Sequence, residues 1–482
     1  MAYEYGKSNW RFDWTFFAIC ALAASVFLVG VDRAPVPTVD GAVRASEART
    51  IVETGTWFPI YYQGAEVHDH PPLFVWITAL SFKIFGINDF AANFPSRIFA
   101  ALTLLFTGLI AIEIGFSRGV ALLSVLVLAA TRDFVLSNVR GYIEPLLSFF
   151  IYGGLWLVFR QRRRRSYWAA VGAGICVFGA FFSKGPPALW PFLAFTILLI
   201  WLGGLPGARL RLFGTYIITT GVCFLLLYWW IVKNGYQPTW QAYFRDQVLS
   251  SALEGRGGAQ TGEPLYFVKI LAQYYWPWMP FLLLGIWRSL KWLFTFEITD
   301  EAIYSWIFGV FALGFIVGFS AVKWKFWYYI APAYPALALF IASTMYSGVR
   351  KWAQAPLFRN IIIAASITWF VVGSILPIPL HRERVPEVQA FKETIRRSNV
   401  EGNVLFFGAP GDHNMVATSG DWYFGKRVEK IDSISELARK LDSRKSAWLI
   451  VDNQFLERCG EEWCRRTIPI QAAHGTTLAL YR

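Results

Sequence analysis

The chain has 482 residues and a formal net charge of +13; 55% of its residues are hydrophobic and 16% are charged. Soluble domains carry about 25% charged residues, so this composition excludes a soluble enzyme and a disordered chain. Five cysteines are too few for a disulfide-dense secreted scaffold. The basic residues cluster in short loops between apolar segments, which is typical of a protein that spans a bilayer and predicts no nucleic-acid partner.

Long apolar segments predict a mainly α, polytopic membrane helix bundle, because a transmembrane helix needs about 20 apolar residues. Eleven spans are expected, of which the eighth is short and rich in proline. In chain order they are 14–31, 95–115, 118–136, 142–159, 167–183, 187–204, 212–232, 277–290, 303–322, 327–346 and 359–379. The apolar segment Leu73–Phe85 is too short to span and is expected to lie at the membrane interface or against the bundle.

The distribution of basic residues predicts the orientation of the spans. Basic residues precede the first span, so the N-terminus is expected in the cytoplasm, and Arg160–Arg165 and the other basic clusters then fall on the same side. The long loops 32–94 and 233–276 and the chain after about residue 381 fall on the other side. No cleaved signal peptide is expected, because the first apolar segment is long enough to span. This one-sided placement of polar residues favours an enzyme at the extracytoplasmic surface over a transporter, which would spread them through the midplane.

The C-terminal region has a different composition, with 16 Lys and Arg against 14 Asp and Glu in residues 381–482. Two apolar runs, 403–407 and 447–451, predict buried strands, and Ser433–Leu441 predicts a helix that begins with a capping box. We therefore expect a transmembrane domain over residues 1–380 and a small extracytoplasmic α/β domain over residues 381–482.

Cys459 and Cys464 lie five residues apart in this C-terminal region. An oxidising compartment favours a disulfide between them. A metal site is the competing interpretation, although no second Cys or His pair completes four ligands.

The first extracytoplasmic loop contains polar residues whose types allow two interpretations. Asp40, just past the first span, is either a catalytic carboxylate or a solvated one. The segment His68-Asp69-His70 precedes two prolines and is either a metal cluster or an ordinary turn.

Several short motifs follow one another between about residues 10 and 345. They are Asp40–Trp57, Asp69-His70-Pro71-Pro72, Phe94-Pro95-Ser96-Arg97, Arg140–Pro145, Phe182-Ser183-Lys184-Gly185-Pro186 and Lys325–Pro335. Together they resemble the polyprenol-dependent glycosyltransferases of the GT-C fold. The resemblance is strongest to the branch that contains the aminoarabinose lipid A transferases and the protein O-mannosyltransferases.

This resemblance implies that a sugar on a polyprenyl phosphate is transferred, with inversion, to an acceptor at the extracytoplasmic face. It implies that Asp40 is the general base, with Glu144 as a second catalytic residue. The residues expected to bind substrate or phosphate are Arg44, Asp69, His70, Arg140, Lys184, Arg256, Lys325, Tyr328 and Tyr329. No cofactor is expected: some members of the fold use a divalent metal, but this branch resembles the metal-independent ones.

Structural roles stay open for several of these residues. Glu144 either holds substrate or pairs with Arg140 four residues earlier. Lys184 is either a phosphate ligand or a lysine that extends from a helix end to the membrane surface, and Arg256 is either a phosphate ligand or a solvated loop residue. Tyr328 and Tyr329 either donate to phosphate or belong to the aromatic belt.

The sequence departs from the family pattern at a few positions. Many relatives have Asp-Glu where this chain has Asp40-Gly41, and the arginine that often follows two residues later is replaced by Val43, with Arg44 adjacent. His70 stands where the aminoarabinose transferase has Lys, and Glu144 stands where many relatives have Asp. Tyr328 stands where relatives often have His. These departures leave the sugar undetermined.

The acceptor is expected to be a lipid or a glycan of the lipid A or lipopolysaccharide type. A protein O-glycosyltransferase of the same fold is the first alternative, and a transporter or flippase of polyprenol-linked sugars is the second. The chain lacks the lumenal insertions of the eukaryotic protein mannosyltransferases, so by analogy it is expected to be a monomeric enzyme of a bacterial inner membrane.

Overall fold

A computed structural model of the protein describes residues 14–28, 39–193, 196, 207–250, 263–275, 278–296, 299–322, 325–353, 364, 386–398, 400, 402–407, 420–444, 446–453, 459, 462–473 and 476–481. The chain divides into two units. The first, here called the membrane unit, comprises Met1–Val31, His68–Phe74 and Phe94–Pro377. The second, here called the loop–sheet unit, comprises Asp32–Val67, Val75–Asn93 and Ile378–Arg482. The C-terminal region thus shares a unit with two stretches of the first loop, while the division at residue 380 stays a prediction.

Helices account for most of the described chain. In chain order they are α1 (Trp14–Leu28), α2 (Val39–Thr54), α3 (Leu73–Phe85), α4 (Asp89–Glu113), α5 (Arg118–Ala129), α6 (Arg132–Asn138), α7 (Glu144–Arg164), α8 (Tyr167–Lys184), α9 (Gly207–Lys233), α10 (Gln237–Ala242), α11 (Tyr266–Tyr274), α12 (Met279–Thr295), α13 (Asp300–Ala321), α14 (Ala333–Ala353), α15 (Pro386–Arg396), α16 (Ile434–Asp442) and α17 (Glu462–Arg465). Short 3₁₀ turns occupy Pro186–Leu189 and Trp327–Ile330, and a π-helical segment occupies Tyr243–Leu249.

Among the described residues, four helices are long and apolar enough to cross a membrane: α4, α8, the Leu210–Lys233 part of α9 and the Ala302–Ala321 part of α13. Helices α5 and α6 pass the same test as a pair that bends by 67°. Helices α1, α3 and α14 contain shorter apolar stretches. These helices indicate a multi-pass membrane protein and support the predicted eleven spans in part. The described helices at the predicted spans 142–159 and 277–290, α7 and α12, do not pass the test, and most of the predicted spans 187–204 and 359–379 lies outside the described residues.

Side-chain caps explain where several membrane helices begin. The hydroxyls of Ser117, Ser166 and Thr299 each accept a hydrogen bond from the backbone N–H three residues on, at the starts of α5, α8 and α13. Such a bond satisfies one of the four N–H groups that a helix start leaves without a partner. The helix boundaries therefore follow from local polar residues placed between apolar runs.

The loop–sheet unit contains a five-stranded sheet and a two-stranded hairpin. The strands are β1 (Tyr61–Tyr62), β2 (Ala65–Glu66), β3 (Val404–Phe407), β4 (Val428–Ile431), β5 (Ala447–Asp452), β6 (Thr467–Ala473) and β7 (Thr476–Tyr481). The sheet order is β4-β3-β5-β7-β6, with β4, β3 and β5 parallel and the pairs β5–β7 and β7–β6 antiparallel. The strands and the helix predicted from the C-terminal sequence are all present.

Two hydrophobic cores cover the two faces of this sheet. One face buries Leu405, Leu449 and Val451 with residues of α16 and with Trp463 of α17. The other face buries Val404, Phe406, Trp448, Ile450, Leu478 and Leu480 in one cluster with α15 and with residues of α2, α3 and the start of α4. The helix that carries Asp40 therefore shares a hydrophobic core with a sheet that lies more than 350 residues later in the chain.

Candidate active site

Two of the predicted residues in the membrane unit form a buried ion pair. Glu144 is the first residue of α7 and Lys184 is the last residue of α8, and the Lys184 ammonium donates a hydrogen bond to Oε1 of Glu144. Glu144 is 3% exposed and Lys184 is 9% exposed. The structure thus brings together two motifs that are 40 residues apart in the sequence.

Gly185 places Lys184 at the end of α8. Gly185 has a φ of +86°, which L-residues with a side chain rarely adopt, and a Cβ there would lie 1.8 Å from the hydroxyl of Tyr243. That hydroxyl also lies 3.5 Å from the carbonyl oxygen of Lys184, to which it donates a hydrogen bond. Glycine is therefore required at position 185, both for the turn and for the close approach of Tyr243.

Aromatic rings surround the Lys184 ammonium. Its Nζ lies 4.2 Å from the ring centroid of Tyr329 and 5.6 Å from that of Phe319. An ammonium over the face of an aromatic ring is attracted by the ring quadrupole, more strongly where water is excluded. Glu144 and these two rings together hold the cation in a site that bulk water does not solvate.

A second cation of the membrane unit, Arg140, also lies close to an aromatic ring. Arg140 is buried, and its guanidinium carbon is 5.8 Å from the ring centroid of Trp327. Tyr328 stacks between Tyr142 and Phe326, with ring centroids 4.1 and 5.2 Å apart and planes within 19° of parallel. The predicted residues Arg140 and Tyr328 thus belong to one cluster of buried aromatic and charged side chains.

Lys325 is a third buried cation of the membrane unit. It is 2% exposed, immediately before the 3₁₀ turn that carries Tyr328 and Tyr329. Within the described part of the chain its ammonium makes no ion pair and no hydrogen bond.

The other predicted residues of this unit are placed differently. Asp69 accepts a hydrogen bond from the side-chain amide of Gln247 in the π-helical segment, and His70 is half-buried next to it in the chain. Arg256 lies outside the described residues. Over the residues that are described, no group of three or more His, Cys, Asp and Glu side chains has the geometry to hold a metal ion.

One buried acid was not singled out from the sequence. Asp133 is 2% exposed at the bend between α5 and α6, where it pairs with Arg132 at 3.0 Å and accepts a hydrogen bond from Tyr334 at 3.3 Å. Tyr334 belongs to the late Pro-Ala-Tyr-Pro motif, so the hydroxyl of that motif is held by a carboxylate 201 residues earlier. The sequence signal for Asp133 was a charged Arg-Asp pair inside a predicted span.

The loop–sheet unit contains Asp40 and Arg44, both on α2. Asp40 lies in the first turn of this helix and is partly exposed. One terminal nitrogen of Arg44, Nη1, lies 2.7 Å from both carboxylate oxygens of Glu47. Glu47 is fully buried and Arg44 is 6% exposed, so this second ion pair is also shielded from water.

Trp422 connects α2 to the C-terminal region within the same unit. The guanidinium of Arg49 lies 4.4 Å from the Trp422 ring centroid, and Nη2 of Arg49 donates to the Trp422 carbonyl at 2.9 Å. The indole N–H of Trp422 donates to Asp89 at 2.7 Å, and its ring stacks on Phe82 at 5.6 Å. Trp422 is 1% exposed. This one side chain of the C-terminal region contacts α2, α3 and the first residue of α4.

Asp421, beside Trp422, binds the hairpin. Its carboxylate accepts hydrogen bonds from the hydroxyl of Tyr62 at 2.6 Å, from the backbone N–H of Val428 at 2.7 Å and from the amide of Gln63. Burial raises the pKa of the Asp421 carboxyl above its ordinary value of 3.8, although these hydrogen bonds oppose the shift. Burial and the neighbouring carboxylate of Asp421 also raise the pKa of Tyr62 well above its ordinary value.

Cys459 and Cys464 are joined by a disulfide in the same unit. Both half-cystines pack against the core that α16 and α17 cover. The bond closes the short segment that precedes β6.

The predicted site residues are thus divided between the two units. The membrane unit holds Asp69, His70, Arg140, Glu144, Lys184, Lys325, Tyr328 and Tyr329, and the loop–sheet unit holds Asp40 and Arg44. The residues that sequence reasoning missed, Glu47, Asp133 and Trp422, act through contacts with partners on other turns or elements.

Several known proteins are similar to this chain. Residues 69–231 match the family described as dolichyl-phosphate-mannose-protein mannosyltransferase. The chain is 28% identical over 367 residues to an uncharacterized protein of Aquifex aeolicus (strain VF5), a match that covers 72% of this chain and 70% of that one. It is 24% identical over 336 residues to the undecaprenyl phosphate-alpha-4-amino-4-deoxy-L-arabinose arabinosyl transferase of Aeromonas hydrophila, covering 66% of this chain and 57% of that relative.

Solved structures extend the likeness to nearly the whole chain. The crystal structure of ArnT from Cupriavidus metallidurans bound to undecaprenyl phosphate has a TM-score of 0.68 at 13% identity, over 96% of this chain and 97% of that one. The apo state of the same protein gives a TM-score of 0.70. The structural likeness establishes the fold, and the sequence matches add the enzyme class. The chain has the GT-C fold and is a glycosyltransferase.

Proposed function

We propose that this glycosyltransferase moves a sugar from undecaprenyl phosphate to a lipid or glycan acceptor, of the lipid A or lipopolysaccharide type, at the extracytoplasmic face of a bacterial inner membrane. The observation that carries the proposal is the concentration of buried charge in the membrane unit, where Glu144, Lys184, Arg140 and Lys325 lie among aromatic side chains. Charged residues in membrane helices are costly and mark functional sites. The named function of the Aeromonas relative supports the undecaprenyl phosphate donor.

The reaction follows from the chemistry of such a donor. The acceptor hydroxyl loses its proton to a carboxylate, its oxygen forms a bond to the anomeric carbon, and the bond between that carbon and the phosphate oxygen breaks. Undecaprenyl phosphate leaves with the bonding electrons, and a single displacement inverts the configuration of the sugar. We assign the proton transfer to Asp40, because a positioned carboxylate lowers the barrier of such a step by general base catalysis.

The departing phosphate gains one negative charge and requires cations or oriented donors. In this proposal Lys325 and Arg140 supply fixed positive charge, and Arg44, His70, Arg256, Tyr328 and Tyr329 supply further donors. Glu144 and Lys184 contact the sugar or the acceptor as a pair. Asp69 is assigned to substrate binding, with its carboxylate oriented by Gln247. These cations stabilise the developing charge of the phosphate by hydrogen bonding and by electrostatic attraction.

The test is a transfer assay with the full-length protein in nanodiscs. Wild type, Asp40→Asn and the control Glu53→Gln are incubated with a series of undecaprenyl-phosphate sugars and with either a lipid extract or a protein extract as the source of acceptors. Glu53 is an exposed acid on the same helix as Asp40. Mass spectrometry measures the released undecaprenyl phosphate and identifies the product.

We expect release by wild type and Glu53→Gln and a loss of about 10²–10⁴-fold in Asp40→Asn. Equal release of undecaprenyl phosphate by all three proteins would show that Asp40 is not the base and would leave Glu144 or Asp69 as the candidate. Glycosylated protein as the product would establish the protein O-glycosyltransferase alternative. Folded wild type that releases nothing with any donor, but moves the donor across the bilayer of sealed proteoliposomes, would show that the protein is a transporter.

A further inference from the structure

We propose that Glu47 is a positioning residue, which holds the guanidinium of Arg44 in the orientation that the donor phosphate requires. The inference rests on the proposed function, in which Arg44 binds that phosphate. Nothing in the sequence pattern pointed to Glu47, whose role emerges from its contact with Arg44 in α2.

The geometry of α2 places three charged residues on one side of the helix. Asp40, Arg44 and Glu47 are related by steps of four and three residues, so at 3.6 residues per turn they project within about 60° of one another. Ala42 and Ala45 project from the other side of α2 and belong to the core that is shared with the sheet. Ile51 projects from the same side as Asp40 and also belongs to this core, so the ion pair shares its face both with the base and with part of the apolar packing.

The contact between Arg44 and Glu47 is specific. Both carboxylate oxygens of Glu47 lie 2.7 Å from the same nitrogen of Arg44, the distance of a strong charge-assisted hydrogen bond. Glu47 is fully buried and Arg44 is 6% exposed. A long side chain that would otherwise occupy many rotamers is thus fixed in one, one turn away from Asp40.

The energetics argue against a purely structural role. Withdrawing two charges from water costs as much as or more than their attraction returns, so apolar residues of similar volume often stabilise a fold better than a buried ion pair. The apolar packing of α2 in the shared core is provided by other residues, Ala42, Ala45, Ala48 and Ile51. A fixed guanidinium gives a benefit of another kind, because it avoids reorganisation when the phosphate charge develops.

The first set of variants separates positioning from folding. Glu47→Gln removes the charge and keeps the shape, and the double variant Arg44→Met/Glu47→Leu replaces the pair by apolar side chains that should fold as well as wild type. Glu47→Asp keeps the charge on a shorter side chain, and Glu53→Gln is the control on the same helix. We expect kcat/KM to fall about tenfold to 100-fold in Glu47→Gln and in the apolar double variant, with most of the loss in kcat. Glu47→Asp should recover part of it.

The second measurement asks whether Glu47 acts through Arg44. If it does, Arg44→Ala/Glu47→Gln should be no less active than Arg44→Ala alone, whereas independent roles would multiply the two losses. Direct binding of a short-chain prenyl monophosphate, compared with the uncharged prenol, reports on the phosphate site without requiring turnover. We expect Glu47→Gln and Arg44→Ala to weaken binding of the monophosphate to a similar extent.

The outcomes distinguish this inference from the proposed function. Wild-type kcat/KM in the folded apolar double variant, or multiplicative losses in the cycle, would overturn the positioning role while leaving the transferase intact. Wild type without transfer would contradict the proposed function. In that case the binding of the monophosphate still tests the inference. Unchanged binding in Glu47→Gln would overturn the positioning role. Weakened binding would show that Glu47 positions Arg44 in a phosphate site that serves another activity.

Discussion

The two units of the molecule each bury an ion pair, and the two pairs are built differently. In the membrane unit, Glu144 and Lys184 lie 40 residues apart and join the ends of two helices among aromatic rings. In the loop–sheet unit, Arg44 and Glu47 lie three residues apart on one helix. The first pair connects two elements, so its loss affects both packing and chemistry. The second forms within one turn of helix, so its loss should affect chemistry more than packing.

The largest effect is expected from removing one member of the connecting pair. Lys184→Met leaves the Glu144 carboxylate buried without its cation, which should cost about 3–5 kcal/mol of stability, measured by thermal unfolding in nanodiscs. The double variant Lys184→Met/Glu144→Leu should recover most of the stability and none of the transfer activity. An unfolding temperature of Lys184→Met equal to that of wild type would show that the pair does not connect α7 to α8.

The next effect concerns the connection between the first loop and the sheet. Trp422→Phe keeps an aromatic ring and removes the N–H that donates to Asp89, which should cost about 1.5–3 kcal/mol because the acceptor is a carboxylate. The matched control is Trp448→Phe, which removes an indole N–H that donates to the neutral hydroxyl of Ser398 at 2.8 Å. Its loss should be about 0.5–1.5 kcal/mol. Chemical unfolding measures the free energy of unfolding of both variants. Equal losses would show that the charge of the Asp89 acceptor adds no stability.

A similar or slightly smaller loss of stability is expected when the disulfide of the loop–sheet unit is removed. Cys459→Ser/Cys464→Ser opens a loop with a sequence separation of 5, which should cost about 2 kcal/mol through the entropy of the unfolded chain. The unfolding temperature of wild type under reducing conditions should approach that of the variant. Transfer activity at low temperature should be unaffected, and a loss of activity without a loss of stability would assign the bond another role.

The smallest effect is a pH dependence in the loop–sheet unit. The folded state raises the pKa of Asp421, so this carboxyl contributes stability below its ordinary value of 3.8 that is lost as the pH rises through the folded value. The difference in Tm between wild type and Asp421→Asn should therefore shift in favour of the variant between about pH 4 and pH 7. A constant difference for Asp421→Asn would contradict the effect of burial.

Sequence reasoning succeeded where the determining interactions are local. The helix predicted from Ser433 is present, with the Ser433 hydroxyl accepting from the backbone N–H of Glu436 as a capping box requires. The two apolar runs near 403 and 447 form parallel neighbours in the sheet. These features depend on residues within a few positions of one another, and their patterns are visible in the sequence.

Sequence reasoning did not identify contacts between residues that are far apart in the chain. Glu144 was expected to bind substrate or to pair with Arg140, and its ion pair with Lys184 depends on the packing of α7 against α8. Trp422 was one of 23 tryptophans, and its contact with Asp89 spans 333 residues. The roles proposed for Asp40, Arg44 and Lys325 come from the family resemblance and from burial, and they stay predictions until the variants are assayed.

The shared core of the loop–sheet unit has a consequence for the biosynthesis of the protein. The apolar faces of α2 and α3 are completed only by a sheet whose first strand begins at Val404. At synthesis rates of about 5–20 residues per second, the early segment waits roughly 15–60 s for its partner. During that interval Phe82 and Ile51 lack the side chains that bury them, so an emerging chain arrested before residue 378 should bind holdase chaperones that the completed chain does not.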